Sequence, residues 1–168
     1  MTPLDVARLI TSFLQKVIAE YDETLRVVDV ITEESTSKDI AVYTGFLPRA
    51  NTRKDMEKMC PAVVVRPEAY VDGGQNSTVS IVIYVTTMDE DKQHGCDSLF
   101  HLMEFIRMML LSNSPVEGKC FIAPGMKSSV PDDQPFPQWI GVLEFDVYIP
   151  QPKQYNNRIL RGERIAEK

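Results

Sequence analysis

The sequence predicts an α+β fold, in which an antiparallel β-sheet carries an N-terminal helix and a second helix packed on one face. Apolar residues recur at three- and four-residue steps at the start of the chain and again at 99–111, which is typical of helices packed on one side. Residues 62–71 and 78–87 are rich in β-branched residues and flank a turn with two glycines, which predicts a hairpin. A further alternating segment at 138–149 predicts a closing strand.

The first helix is expected to begin at Pro3 and to end near Tyr21. Thr2 is a favourable N-cap residue, Pro3 suits the first helical position, and Asp5 places negative charge in the first turn. One apolar stripe runs along this helix and consists of Leu4, Ala7, Ile10, Leu14, Val17 and Tyr21.

Residues 25–32 and 40–46 are predicted to form a hairpin or two short strands, because both are rich in β-branched residues and a polar segment separates them. A helical turn is expected near 54–59. In the hairpin that follows, Pro67 lacks the N–H group that a ladder needs. Its strand is therefore expected at a sheet edge, or with a bulge at that position.

The second half of the chain is expected to contain a helix that begins between Asp91 and Asp97 and ends near Ser112. A short strand is predicted at 119–123 and a proline-punctuated loop at 124–137. In the closing strand the apolar residues Trp139, Leu143, Phe145, Val147 and Ile149 alternate with Glu144, Asp146 and Tyr148. This alternation predicts a sheet that is covered on one side only in the isolated subunit.

Composition places the chain among ordinary globular domains, since 43% of its residues are hydrophobic and 25% are charged. It contains no apolar run of membrane-spanning length and no signal-peptide pattern, so no membrane association is expected. Three cysteines without disulfide or metal spacing fit a reducing compartment. We predict one domain at 1–152, with a net charge of −9, and a basic tail at 153–168, with a net charge of +3. The tail is expected to be mobile because it has too little apolar surface to pack.

Catalytic and metal-binding patterns are weak. The glycine-rich phosphate-binding motifs are absent, so no nucleotide cofactor is predicted. His94, Cys96 and His101 are the most enzyme-like group, because an imidazole can activate a nearby thiol, but the two histidines would lie two helical turns apart. The acidic groups at 89–91 and 132–133 lack the spacing of a calcium loop and are interpreted as solvated turns. No metal is predicted.

The helix at 99–111 carries more apolar residues than one sheet can cover. Four of them fall among the polar residues opposite the core-facing arc, and these form the candidate subunit interface: Phe100, Phe105, Met108 and Leu111. The alternative is a helix buried between the sheet and the N-terminal helix of its own chain. In the basic tail the candidate partner contacts are Lys153, Arg158, Arg161 and Arg164.

Five short segments resemble a family of small phage and prophage tail proteins, the tail terminator or tail completion group. They are GFLP at 45–48, CPAVVVRP at 60–67, MDED at 88–91, QPFPQWIG at 134–141 and IPQP at 149–152. The resemblance covers about residues 40–152, and the basic tail has no counterpart in it.

The resemblance implies a structural virion protein and not an enzyme. Such a subunit assembles in the bacterial host cytoplasm into a hexameric homo-oligomeric ring at the head-proximal end of the tail tube. The ring contacts the tail tube protein and the head-tail connector, terminates tube polymerisation and offers the surface for head joining. DNA passes through the lumen without specific binding, which the acidic charge of the domain favours.

Two other classes of function remain open at the level of the sequence. One is a head-to-tail connector or neck adaptor of similar size. The other, more distant, is a Cys/His hydrolase built on His94, Cys96 and His101.

Overall fold

A computed structural model describes residues 1–28, 40–49, 51–73 and 76–150, with side chains for all of these except 21–28. Its helices are α1 (Pro3–Val28), α2 (Arg53–Met59) and α3 (Asp97–Ser112). Its strands are β1 (Ala41–Thr44), β2 (Ala62–Asp72), β3 (Asn76–Met88), β4 (Phe121–Ile122), β5 (Lys127–Ser129) and β6 (Gln138–Pro150).

The strands form one sheet in the order β1-β2-β3-β6-β4, and β5 also pairs with β6. The α+β class is confirmed. The sheet is mixed, however, because β1 runs parallel to β2 while the other pairs are antiparallel. The prediction of an antiparallel sheet was wrong at this edge. Residues 45–61, which contain α2, connect β1 to β2, and such a crossover is what a parallel pair requires.

The first helix begins as predicted and ends later. Thr2 and Asp5 form a reciprocal cap, in which the Thr2 N–H donates to Asp5 Oδ2 at 2.8 Å and the Asp5 N–H donates to Thr2 Oγ1 at 3.2 Å. The helix continues to Val28 because no glycine or proline follows Tyr21 to stop it. The predicted strand at 25–32 is therefore wrong for 25–28, and its remainder lies outside the described residues.

The sheet has an inner face, covered by α1 and α3, and an outer face. On the inner face Val65, Ile83 and Leu143 stand side by side across β2, β3 and β6, and all three are fully buried. α1 packs mainly on β1 and β2, and α3 packs on β3 and β6. The predicted arrangement of two helices on one face is confirmed.

Each helix is fastened to the sheet by a specific contact. Thr11 on α1 shares a 2.8 Å hydrogen bond with Thr44 on β1 through their hydroxyl groups. α3 approaches the sheet closely because Gly141 on β6 has no side chain. A Cβ atom at Gly141 would lie 2.1 Å from Sδ of the buried Met103, so the glycine makes room for the helix.

Several further predictions from the sequence are confirmed. The register of β2 shifts between Pro67 and Ala69, which is the expected bulge. α3 and β6 occupy the predicted segments, and Trp139 packs against the core from a half-buried position. The segment 124–137 is not wholly a loop, because it contains β5, whose three residues are all exposed and polar.

Candidate functional site

A helix patch, defined here as Phe100, Met108 and Leu111, lies on the solvent side of α3. These side chains are 52%, 56% and 41% exposed, although all three are apolar. The fourth predicted interface residue, Phe105, is half-buried and packs against the core. The structure thus brings three of the four predicted residues to one exposed surface.

An ion pair lies within the same arc of α3. Arg107 donates to both carboxylate oxygens of Glu104, with Nε to Oε2 at 2.8 Å and Nη2 to Oε1 at 2.6 Å. The Arg107 guanidinium holds the pKa of Glu104 below its usual range. Because the two charges satisfy one another, the patch presents its apolar groups beside a neutral pair and not beside a free charge.

A second apolar surface, the sheet groove, lies on the outer face. It encloses about 190 Å³ at one end of the sheet. Its lining comes from four separate segments of the chain, with side chains that are mostly apolar: Phe46, Leu47, Val64, Arg66, Tyr84, Thr86, Gln138 and Ile140. Phe46 is 74% exposed and stands at the rim. The sequence analysis did not identify this groove, although the uninterrupted apolar run at 62–65 is a sign of a strand buried on both faces.

Arg66 orders the rim of the sheet groove. Its guanidinium carbon lies 5.2 Å from the centroid of the Phe46 ring and 4.6 Å from that of Tyr84. Its Nη2 donates to Glu68 Oε1 at 2.5 Å and to the Tyr84 hydroxyl. The cation therefore holds two aromatic rings in place and is itself neutralised by Glu68.

Hydrogen bonds made by two glutamine side chains fix the floor of the sheet groove. Gln138 Nε2 donates to Thr86 Oγ1 at 2.7 Å, and both side chains are buried. Gln134 fixes the approach to β6, since its Nε2 donates to the Ile140 carbonyl at 3.1 Å and its Oε1 accepts from the Ile140 N–H at 2.6 Å. The groove is thus a pre-formed surface.

The helix patch and the sheet groove lie on opposite sides of the subunit. α3 packs its buried side, which includes Leu102 and Ile106, onto the inner face, so the patch points away from the sheet. The groove residues Val64 and Tyr84 alternate along their strands with the inward-facing Val65 and so face the other way. One chain therefore carries two different apolar surfaces facing in opposite directions.

A third feature, the outer trough, lies further along the outer face and is polar. It encloses about 230 Å³ between β3, β6 and their neighbours, and its polar lining consists of Glu68, Ser80, Lys127, Glu144 and Asp146. Ser80 Oγ donates to Asp146 Oδ1 at 2.7 Å. Beside the trough, the exposed rings of Phe121 and Tyr148 stack with their centroids 6.3 Å apart.

The Cys/His group is not assembled as a catalytic pair. His94 Nδ1 lies 3.4 Å from Asp97 Oδ2, and Cys96 Sγ lies 4.0 Å from Asp97 Oδ1. His101 is exposed on α3. In the described ranges no three His, Cys, Asp or Glu side chains lie close enough to hold a metal ion, and all three cysteines are free.

The acidic segment before α3 caps its own turns. Asp91 Oδ1 accepts from the His94 N–H at 3.0 Å and from the Gln93 N–H at 2.8 Å, and these bonds lower the pKa of Asp91. Asp89 Oδ1 accepts from the Asp91 N–H at 2.8 Å. These two carboxylates act as hydrogen-bond acceptors for the backbone that leads into α3.

The predicted tail contacts Lys153, Arg158, Arg161 and Arg164 lie outside the described residues. Among the helices that are described, none is long and apolar enough to cross a bilayer. No protein-family model matches the chain, and no curated protein sequence matches it.

Proposed function

We propose that this chain is a structural subunit of a phage or phage-like tail, which assembles into a ring at the head-proximal end of the tail tube, terminates tube polymerisation and joins the tube to the head. The observation that carries the proposal is the pair of unlike apolar surfaces, the helix patch and the sheet groove, on opposite sides of one subunit. An interface between two different surfaces of the same chain repeats from subunit to subunit, and it closes into a ring when the rotation allows.

The segments that resemble tail terminators support this assignment by their position. GFLP at 45–48, CPAVVVRP at 60–67 and QPFPQWIG at 134–141 are far apart in sequence, yet each supplies residues to the sheet groove. The segments that carry the resemblance thus line one surface, which supports a common role for them in assembly. The acidic domain also suits a lumen through which DNA passes without being held, because like charges repel the phosphates.

Light scattering on the full-length chain, alone and with purified tail tubes, tests the proposal. We expect a species of about six subunits in at least one of these conditions. On tubes, we expect one such ring per tube end, whereas a connector would bind the head in the absence of tubes. A chain that stays monomeric in both conditions contradicts the proposal.

Met108→Glu tests the helix patch within the same experiment. A carboxylate buried in the interface costs about 3 kcal/mol or more, which weakens association about a hundredfold or more. Gln93→Glu, which adds the same charge at an exposed turn outside the patch, is the control and should assemble normally. Both variants should keep the circular dichroism of the wild type, because neither side chain belongs to the core.

Cys96→Ser separates this proposal from the hydrolase alternative. The substitution removes the thiol that any Cys/His mechanism would use and leaves the backbone unchanged, and this thiol lies 4.0 Å from Asp97 Oδ1. We expect unchanged assembly. Loss of a hydrolytic activity in this variant, with assembly absent in the wild type, would favour the enzyme instead.

A further inference from the structure

The outer trough is an unpartnered part of the sheet. Its floor is formed by β3 and β6, and its walls by Glu68 at the bulge of β2 and by Pro124 and Gly125 in the β4–β5 connection. α1 and α3 pack on the inner face, so neither covers it.

Two carboxylates in the trough remain available to a partner. Glu144 and Asp146 are both exposed and are two residues apart on β6, so they point the same way at a spacing of about 7 Å. Asp146 accepts one hydrogen bond, from Ser80, and Glu144 stands opposite Lys127 in the register of β5 and β6. Glu68 differs from them, because it is already paired with Arg66.

The C-terminal tail has complementary charge. Arg158, Arg161 and Arg164 recur every three residues, which in an extended polyproline-type chain places them on one side about 9 Å apart. A guanidinium group binds a carboxylate through two parallel hydrogen bonds and also stacks on aromatic rings. The trough offers both partners, the carboxylates of Glu144 and Asp146 and the adjacent rings of Phe121 and Tyr148.

The exit of the chain from the sheet favours a neighbouring subunit over the tail's own trough. Pro150 is the last residue of β6, opposite Asn76, and β6 runs away from Glu144 towards this end. The residues from 151 to 168 span up to about 60 Å when extended, more than the diameter of about 40 Å of a domain of this size.

We infer that residues 153–168 of one subunit bind in the outer trough of the next, with the tail arginines paired to Glu144 and Asp146. The inference rests on the proposed ring, because it requires a neighbour. In this arrangement the tail reinforces an interface that the helix patch and the sheet groove form separately.

A double-mutant cycle on full-length chains tests the pairing. One variant neutralises the tail (Arg158→Gln, Arg161→Gln and Arg164→Gln), one neutralises the trough (Glu144→Gln and Asp146→Asn), and one combines both. Each of the first two should raise the concentration needed for assembly about tenfold at low salt and hardly at all at 1 M salt, because exposed ion pairs are weak and screened. The combined variant should be no worse than either alone.

Asp132→Asn with Asp133→Asn is the matched control, since it removes the same charge from an exposed loop and should leave assembly unchanged. The pairing is wrong if the effects of the tail and trough variants on assembly add in the combined variant. It is also wrong if this control weakens assembly as much as they do, and neither result would contradict the ring. A wild-type chain that never assembles would overturn the ring and the tail inference together, so the two failures are distinguishable.

Disulfide trapping distinguishes a neighbour's trough from the tail's own. All chains carry Cys96→Ser, because Cys60 and Cys120 are buried and only Cys96 is partly exposed. Mixing Asp146→Cys chains with Arg158→Cys chains should give a covalent heterodimer on oxidation. If the chain with both substitutions instead closes an internal disulfide and the mixture gives no heterodimer, the tail binds its own subunit and the inference is wrong.

Discussion

The inner and outer faces of the sheet differ in how their burial changes along the strands. The inner face is apolar along most of its length, and Val65, Ile83 and Leu143 are fully buried at its centre. On the outer face Val64 on β2 is almost as deeply buried, yet Glu144 on β6 is exposed. The inner face has one role, which is to hold the helices. The outer face changes from a covered, apolar end, where the sheet groove lies, to an open, charged end.

Neighbouring residues on β6 give the sharpest test of this difference. Leu143→Ala should lower the free energy of unfolding by about 2–5 kcal/mol, because it leaves a cavity in the core. Glu144→Ala, one residue further on and facing outwards, should change it by about 0.5 kcal/mol or less. Denaturant titration measures both values. Equal losses would mean that the two faces are packed alike.

Trp139 tests whether the end of the inner face behaves as core. The side chain is half-buried, and its Nε1 donates to the Asp89 carbonyl at 3.2 Å. We expect Trp139→Ala to cost about 2 kcal/mol, less than a fully buried tryptophan, because part of the ring is already in contact with solvent. Trp139→Phe keeps the ring contact and should recover about half of this loss. A melting temperature like that of the wild type would place Trp139 on the surface.

Two valines on β2 compare the two ends of the outer face. Val64 is 4% exposed at the covered end and Val71 is 62% exposed at the open end, and both face outwards. Val64→Ala should therefore cost about 1–2 kcal/mol, and Val71→Ala about 0.5 kcal/mol or less. The same deletion is made in both variants, so a similar loss would show that the outer face is uniform.

Acid should weaken the turn before α3, where the Asp91 carboxylate accepts two backbone hydrogen bonds. The folded chain lowers the pKa of Asp91, so the stability that this carboxylate contributes is complete above its unfolded pKa and is lost as the pH falls through the folded value. We expect the wild type to lose stability below about pH 4 more steeply than Asp91→Asn, whose amide oxygen still accepts the N–H groups. Asp132→Asn is the control. If all three chains lose stability equally as the pH falls, Asp91 does not contribute in this way.

Much of the fold is predictable from local pattern. The alternation in β3 and β6 and the stripe on α1 follow from the periodicity of strands and helices, and the structure agrees with all three. The direction of β1 is not predictable in this way. Side chains alternate between the two faces of a sheet in parallel and antiparallel strands alike, so only the connection through α2 shows that β1 runs parallel to β2. β5 has no apolar side chain to mark it, and α1 extends past Tyr21 because nothing in the sequence ends it.

The candidate site is predictable in part. The surplus apolar residues of α3 follow from helical geometry, which explains why Phe100, Met108 and Leu111 were found on its solvent side. Phe105 lies at the flank of that arc, where packing decides between core and surface. The sheet groove is lined by Phe46, Arg66 and Ile140, which are far apart in sequence, so no local pattern reveals it.

The missing side chain at Gly141 also bears on the curvature of an assembly. Met103 rests directly over this glycine, so the contact sets how deeply α3 sits and which way its outer residues point. In a closed ring every subunit repeats the same angle between its two contact surfaces, and any error in that angle accumulates from one interface to the next until the circle no longer closes. For the ring proposed above, a methyl group at position 141 would force the Met103 side chain to move, and any shift of α3 that follows would change the angle between the helix patch and the sheet groove and favour open spirals or rings of the wrong size.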